Sequence, residues 1–227
     1  IIRSSISDLI CKGVQPKFYF ISGSGNKKSF SNKLSFSVTS VGYSKNIIYR
    51  NKVKLNDDIY VTGNLGDSFV GLQILKNKFK FKKKINDYFI RKYFLPDIQI
   101  KLAKKLLRFA NSSIDISDGL ISDLEKMLNN QDYSFLINEP QIPISKHLKD
   151  LINDTKFKKY KLISNGDDYQ VLFTTNVNKL RIIQKTSKIL GIKITKIGKI
   201  ISGKKKSILI DQKGEQILLK YKGYIHK

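Results

Sequence analysis

One cysteine (Cys11), no tryptophan, one methionine, four prolines and two histidines among 227 residues set the first limits. A lone thiol excludes a disulfide framework and a cysteine-rich zinc site, and it fits a reducing compartment. No stretch approaches the roughly 18 consecutive apolar residues that a membrane-spanning helix needs. Ile1-Ile2-Arg3-Ser4 turns polar at once, which does not read as a secretion signal. Acidic residues are scarce as well: 18 Asp and Glu stand against 43 Lys and Arg, a formal charge of +25. Against these absences, 41% apolar and 11% aromatic residues exclude a disordered polar tail. The expectation is a soluble, cytoplasmic, globular protein with one large core or two modest ones.

A charge of +25 invites a nucleic-acid reading, because clustered cations release counterions from phosphate backbones. Only Arg3, Arg50, Arg91, Arg108 and Arg181 supply the guanidinium that bidentate recognition favours. The lysines run from Lys12 to Lys227, densest at Lys76–Lys84 and Lys204–Lys206. Such dispersion, with abundant Ile and Asn, reads as compositional bias and a solvated surface. Neither nucleic acid nor membrane is expected as a partner.

Leu34–Val41 alternates apolar and polar residues, as a strand with one buried face does. Ile59–Thr62 reads as a short buried strand ending at Gly63, with a turn at 64–68 and a helix through Phe69, Leu72 and Leu75. A helix begins near Pro96-Asp97, carrying Leu102, Ala103, Leu106, Leu107 and Ala110 at helical spacing. Ser113–Ser117 reads as a strand broken by Asp118-Gly119. Leu120, Ile121, Leu124, Met127 and Leu128 then mark an amphipathic helix. A strand at Lys161–Ile163, a turn at 164–168, a strand at Tyr169–Thr174 and a helix at Val177–Leu190 follow. Strands near Ile192–Ile200, Ser207–Ile210 and Gln216–Leu219 complete the chain. No internal repeat is visible. Intermixed strands and helices give an α+β (mixed α/β) class, with residues 1–55 as an N-terminal sheet-domain remnant and 56–227 as a C-terminal α/β domain.

In so basic a chain the placement of carboxylates carries information. Asp8, Asp67, Asp115/Asp118 and Asp167/Asp168 fall at strand ends or beside glycine. A single such Asp commonly satisfies a turn or caps a helix, which is the reading for Asp67. Asp123 and Glu125 read as charges favourable to the dipole of their helix. Asp115-Ile116-Ser117-Asp118-Gly119 is more specific: two carboxylates and a hydroxyl gather at one strand end, before a helix N-terminus. Hard oxygen ligands suit Mg²⁺ bridging phosphates, and helix N-termini attract the phosphate itself. The chemistry suggested is phosphoryl transfer.

Four segments carry a resemblance. ISDLICKGVQPK (Ile6–Lys17), DDIYVTGNLGDSFVGLQIL (Asp57–Leu75), SIDISDGLISDLEKML (Ser113–Leu128) and ISNGDDYQVLFTT (Ile163–Thr175), in that order, resemble thiamine-monophosphate kinases of the aminoimidazole-ribonucleotide-synthetase-like superfamily. The resemblance extends to Gly223-Tyr224-Ile225-His226 and implies a two-domain synthetase-like architecture. It also implies ATP-dependent phosphorylation of thiamine monophosphate to thiamine diphosphate, by in-line transfer assisted by Mg²⁺, in a homodimer. By matching position, Asp8, Asp115 and Asp118 would ligate Mg²⁺, and Arg50 and Ser117 would touch ATP. Asp167 would contact the substrate, and Tyr224 would pack on its thiamine moiety. The acceptor phosphate is anionic near neutral pH, so no general base is needed and no catalytic side chain is assigned. His147 and His226 then read as surface or packing residues, and Cys11 as a small core residue.

The chain departs from the family in three places. The Asp-rich motifs that lie ahead of Asp8 in the family, and its Gly-Gly-Asp-Thr motif, have no counterpart here. Phe30 runs straight into Ser31, where the family has a helix. Asn165 and Asp167 stand where the family motif has Gly and Glu. With only part of the metal set, this chain is expected to be weak or inactive. The alternatives are a related ATP-dependent synthetase of the superfamily and a non-catalytic remnant that pairs with another chain through its N-terminal strand.

Overall fold

The structure, a computed structural model, describes residues 2–24, 35–129, 131–155, 157–203, 207–218 and 223. In chain order its elements are α1 (Ile2–Cys11), β1 (Pro16–Ser24), β2 (Ser35–Gly42), β3 (Asp58–Thr62), α2 (Asp67–Leu75), α3 (Lys83–Phe94), α4 (Ala103–Leu106), β4 (Ser112–Asp115) and α5 (Leu120–Leu128). Then come β5 (Tyr133–Asn138), α6 (Lys146–Asp154), α7 (Lys159–Ile163), β6 (Val171–Thr175), α8 (Leu180–Leu190), β7 (Ile194–Ser202) and β8 (Ile208–Ile210). The class is mixed α/β. Among the described residues, no helix is long and apolar enough to cross a membrane.

Six strands form one sheet in the order β4-β6-β3-β7-β5-β8, antiparallel except for the β5/β8 pair. Every residue of β3, β4 and β6 is buried. The alternation of side chains across a strand explains this, because helices cover both faces. Ile59, Val61 and Leu172 pack with Leu120, Leu124 and Met127 of α5 on one face. Tyr60, Val171 and Phe173 pack with Ile10 and Cys11 of α1, Leu106 of α4 and Ile183 of α8 on the other. Cys11 is therefore the core residue expected of it. A third cluster joins α2, α3, α6 and α7 through Val70, Phe89, Leu148, Leu151 and Leu162.

Several expectations need correction. Lys161–Ile163 lies in helix α7, not a strand. Three apolar or long residues cannot distinguish the two periods, and here Ile163 and Leu162 feed different core clusters. The helix expected from Pro96 is reduced to a 3-10 turn at Ile100–Leu102 and the single turn of α4. Helices α1, α3 and α6 and strands β1 and β5 have no counterpart among the expected elements. In α3 a lysine-rich sequence hides an apolar stripe (Ile85, Tyr88, Phe89) that seats on α2 and α6. The last expected strand is reduced to a bridge between Ile210 and Gln216, and Leu219 lies outside the described residues.

β2 pairs antiparallel with β1 as a separate two-stranded ribbon, in register from Phe18↔Val41 to Ser24↔Ser35, with a register shift between Pro16 and Phe18. Its expected buried face is not covered: Phe36 is 56% exposed, and Phe18, Tyr19, Phe20 and Ile21 of β1 are more than half exposed. Leu34 and the Phe30–Ser31 junction lie outside the described residues. Within the chain, α1 leans on the ribbon where Ser5 Oγ meets Ser40 Oγ at 2.8 Å.

Asp67 opens α2 but does not cap it. Its carboxylate accepts from Ser145 Oγ (2.7 Å) and Tyr88 OH (2.8 Å), and His147 stacks on Tyr88. The cap comes from across the fold, as Asp168 accepts from the N–H groups of Gly66 (2.8 Å) and Ser68 (3.4 Å). Burial pushes the Asp168 carboxyl up to about 8, the nearby Asp67 adding and the two N–H groups opposing. A folded-state value above the unfolded one of about 3.9 favours the fold below ~pH 4, and this advantage fades as pH rises towards 8. Asp168→Asn keeps an oxygen acceptor and removes the charge. Its melting temperature should match the parent near pH 4 and exceed it increasingly up to pH 8. A difference that does not change with pH contradicts this account of the cap.

Candidate functional site

Strand β4 delivers Asp115 to its end, and the chain must turn through residues 116–119 before α5 begins. Gly119 makes the turn possible at φ +123°, where a Cβ would stand 2.3 Å from Ser164 O. Asp123, in the first turn of α5, folds back over it. One carboxylate oxygen accepts from the N–H groups of Ser117 (2.9 Å), Asp118 (2.9 Å) and Gly119 (3.1 Å). The other accepts from Lys126 Nζ at 2.7 Å. This corrects two expectations. The amides of the turn face a carboxylate rather than an anionic ligand, and Asp123 fixes the backbone as well as complementing the helix dipole.

A second acidic turn, 164–170, is laid against the first. Asp167 N–H donates to Ser117 O (3.0 Å), Tyr169 N–H to Ile116 O (2.9 Å), and Ile116 N–H to Gln170 O (2.9 Å). At Gly166 the two backbones nearly touch, so that a Cβ there would lie 1.7 Å from Ser117 O. The family's preceding glycine is replaced without conflict, since the Asn165 side chain points back to donate to Lys161 O (2.7 Å). Asp167 and Tyr169 both take positive φ, +68° and +50°. Left-handed backbone costs about 1–2 kcal/mol for a residue with a Cβ, and its concentration at one turn is typical of a site where side-chain direction matters. The Tyr169 hydroxyl donates to Asp167 Oδ1 at 3.2 Å.

The paired turns separate two clefts. One, of about 640 Å³, is lined by Asp8 of α1, Lys12 just after it, Arg50, Asp115, Ser117 and Lys126. The other, of about 760 Å³, is lined by Arg3, apolar Ile21 and Phe36 of the ribbon, Tyr93, Phe94 and Asp167. Ser4 and Tyr169 line both, so the clefts meet there. In the first cleft Asp115 is 6% exposed and accepts a hydrogen bond from Ser7 Oγ. Burial pushes its carboxyl up to about 6, Asp8 adding to the rise and Ser7 opposing it. Burial likewise raises Asp167, with Asp118 adding to it and Tyr169 opposing.

The fold therefore brings Asp8, Arg50, Asp115 and Ser117 to one cleft and Asp167 to the adjoining one. Asp118 turns to Lys126, with which it forms an ion pair. Tyr224 lies outside the described residues, although neighbouring Gly223 is seated against the first turn, where a Cβ would be 2.7 Å from Asp118 O. Among the described residues no group of three His, Cys, Asp or Glu is arranged to hold a metal ion. The donor set nonetheless suits a hard cation: burial makes Asp115 hard to ionise and Asp8 adds to this, and a divalent ion would favour the charged form. Residue-by-residue reading missed Ser7, Asp123, Lys126 and Tyr169. The spacing of Asp123 and Lys126 on one helix face was the available signal. Nothing local marked Ser7 or the shared position of Tyr169.

Gly166→Ala should destabilise the protein by about 3 kcal/mol or more in urea unfolding, since the added methyl must push two hydrogen-bonded turns apart. Gly191→Ala, at φ +64° with nothing within 4 Å, should cost only about 1 kcal/mol. Equal costs would mean that the close approach of the turns does not matter.

No protein-family model matches the chain. A thiamine-monophosphate kinase from Buchnera aphidicola subsp. Schizaphis graminum is 37% identical over 211 residues, 92% of this chain. The chain spans 64% of that relative's length, less than two thirds. The thiamine-monophosphate kinase structure from Stenotrophomonas maltophilia superposes with a TM-score of 0.80 at 22% identity, covering 95% of this chain and 77% of that one. The structure of AaThiL complexed with AMPPCP and TMP gives 0.78 at 23% identity, covering 99% and 82%. Along nine-tenths of its length the chain is similar in sequence to thiamine-monophosphate kinase, and it has the fold of those enzymes.

Proposed function

We propose that this chain carries the chemistry of a thiamine-phosphate kinase: ATP-dependent phosphorylation of thiamine monophosphate to thiamine diphosphate, in the cytoplasm. One observation carries the reading. A charged cleft with carboxylates and cations meets an apolar, aromatic cleft at Ser4 and Tyr169, as a reaction joining a nucleotide's polyphosphate to a phosphate on a heteroaromatic body requires. The similarity to enzymes of that name, one of them complexed with AMPPCP and TMP, supports it.

In this reading the triphosphate lies in the first cleft, with Arg50 and Lys12 neutralising its charge and Ser117 contacting it. Asp8 and Asp115, with Asp118 of the first turn, would hold Mg²⁺, which supplies charge neutralisation at the transferring phosphoryl group. Asp167 and Tyr169 position thiamine monophosphate in the second cleft. An acceptor phosphate oxygen attacks the γ-phosphorus as the bond to the β-phosphate oxygen breaks, and ADP leaves. The acceptor needs no base, because the second ionisation of a phosphate monoester lies near pH 6. Residues 1–55 contribute Asp8, Arg50 and the ribbon. The ribbon's exposed aromatic residues suit the self-association expected of a homodimer.

An ADP-release assay tests the reading. Turnover should require both thiamine monophosphate and Mg²⁺. Asp115→Asn should lower it at least 100-fold, the scale of losing a charge-stabilising group, with the circular-dichroism spectrum unchanged. ADP release indifferent to thiamine monophosphate, or greater with another phosphate acceptor, would assign a different enzyme of the superfamily. Binding of both ligands without turnover would assign the non-catalytic alternative.

A further inference from the structure

Lys126 bonds both to Asp118 of the first turn and to Asp123, the α5 carboxylate that clamps it. Its ammonium pairs with Asp118 and lies 2.7 Å from Asp123 Oδ1. The Asp123 side chain is fully buried and that of Asp118 is 14% exposed, whereas Lys126 is 38% exposed and faces the charged cleft. The geometry follows from α5: three residues from Asp123 to Lys126 place both on one helix face, and the fold-back of Asp118 brings its carboxylate over the same spot.

Resting on the reading above of that cleft as the nucleotide and metal site, we propose that Lys126 is a resident cation and positioning residue. It holds Asp118 while no divalent ion is bound and yields Asp118 to the ion when one arrives. Two carboxylates lie at this turn, and Asp123 is already committed to three backbone N–H groups. Removing the cation would take from Asp118 and Asp123 the ammonium they share and leave their mutual repulsion less screened. Asp118 is the partner that can change hands, because Asp123 cannot leave without freeing those N–H groups. A lysine suits this role, since its compact charge on a flexible stem can swing towards the cleft, where it meets the nucleotide's phosphates. Divalent binding is therefore coupled to release of the Lys126–Asp118 pair, and the coupling works in both directions.

The test uses Mn²⁺ alone, without nucleotide, measured by the loss of the free-ion electron paramagnetic resonance signal. Lys126→Gln retains a donor for Asp123, and Lys126→Met retains the apolar stem, so either variant that folds serves. Each should bind Mn²⁺ more tightly than the parent, on the order of tenfold. Each should also melt lower without metal and gain more stability when Mn²⁺ is added. Lys126→Arg, which keeps the cation, should bind Mn²⁺ like the parent. Affinity unchanged or weakened in the Gln and Met variants overturns the proposal. Asp115→Asn separates the role of Lys126 from the identity of the cleft. If it abolishes Mn²⁺ binding while Lys126→Gln leaves the affinity unchanged, only the role of Lys126 falls. If Mn²⁺ binds Asp115→Asn as it binds the parent, the cleft is not the metal site and both readings fall.

Discussion

The back-to-back pairing of two acidic turns, 116–119 and 164–170, is the constraint on which the site depends. Three backbone hydrogen bonds and two glycines without room for a methyl, Gly119 and Gly166, hold the turns together. That contact fixes Asp115, Ser117 and Asp118 on one side and Asp167 and Tyr169 on the other, and it puts a cleft on each side. Each turn also has a structural role. Asp123 clamps the first from within α5, and Asp168 at the second caps α2. The carboxylates that hold the backbone and those that face the clefts alternate along a few residues, which is why neither turn can be read as purely structural or purely functional.

Electrostatics makes the arrangement specific. In a chain of charge +25, burial and mutual repulsion raise Asp115, Asp167 and Asp168 above the ordinary carboxylate range. Carboxylates kept reluctant to ionise are poised for a cation, and perturbed groups concentrate where function lies. Lys126, Lys12 and Arg50 share the same cleft. The cleft is therefore a mixed field of cations and carboxylates rather than a uniformly acidic cage.

Much of this was legible in the sequence. Strands β3, β4 and β6 and helix α5 stand out because their apolar periods are clean and tertiary packing agrees with them. The DISDGL and NGDDY segments marked both turns, since carboxylates beside glycine at strand ends are informative in so basic a chain. Illegible were contacts that join distant segments: Ser7 on Asp115, Asp168 capping α2, and the junction of the clefts at Tyr169. No local pattern specifies these, because each partner looks like an ordinary polar residue until the sheet brings them together. Helix α3 hid beneath its lysines, and α7 was too short for its period to show. The chain supplies its own carboxylate, Asp123, to the amides of residues 117–119, a contact that no local pattern announced.

The central claim is that the carboxylates at the first turn gather a divalent ion around a nucleotide's phosphates. The most direct measurement is anomalous diffraction from crystals grown with Mn²⁺ and a non-hydrolysable ATP analogue. The account predicts a manganese peak at coordination distance, about 2.2 Å, from oxygens of Asp8 and Asp115 and from the analogue's phosphates. A peak elsewhere, or an analogue bound with no metal touching either carboxylate, would contradict it.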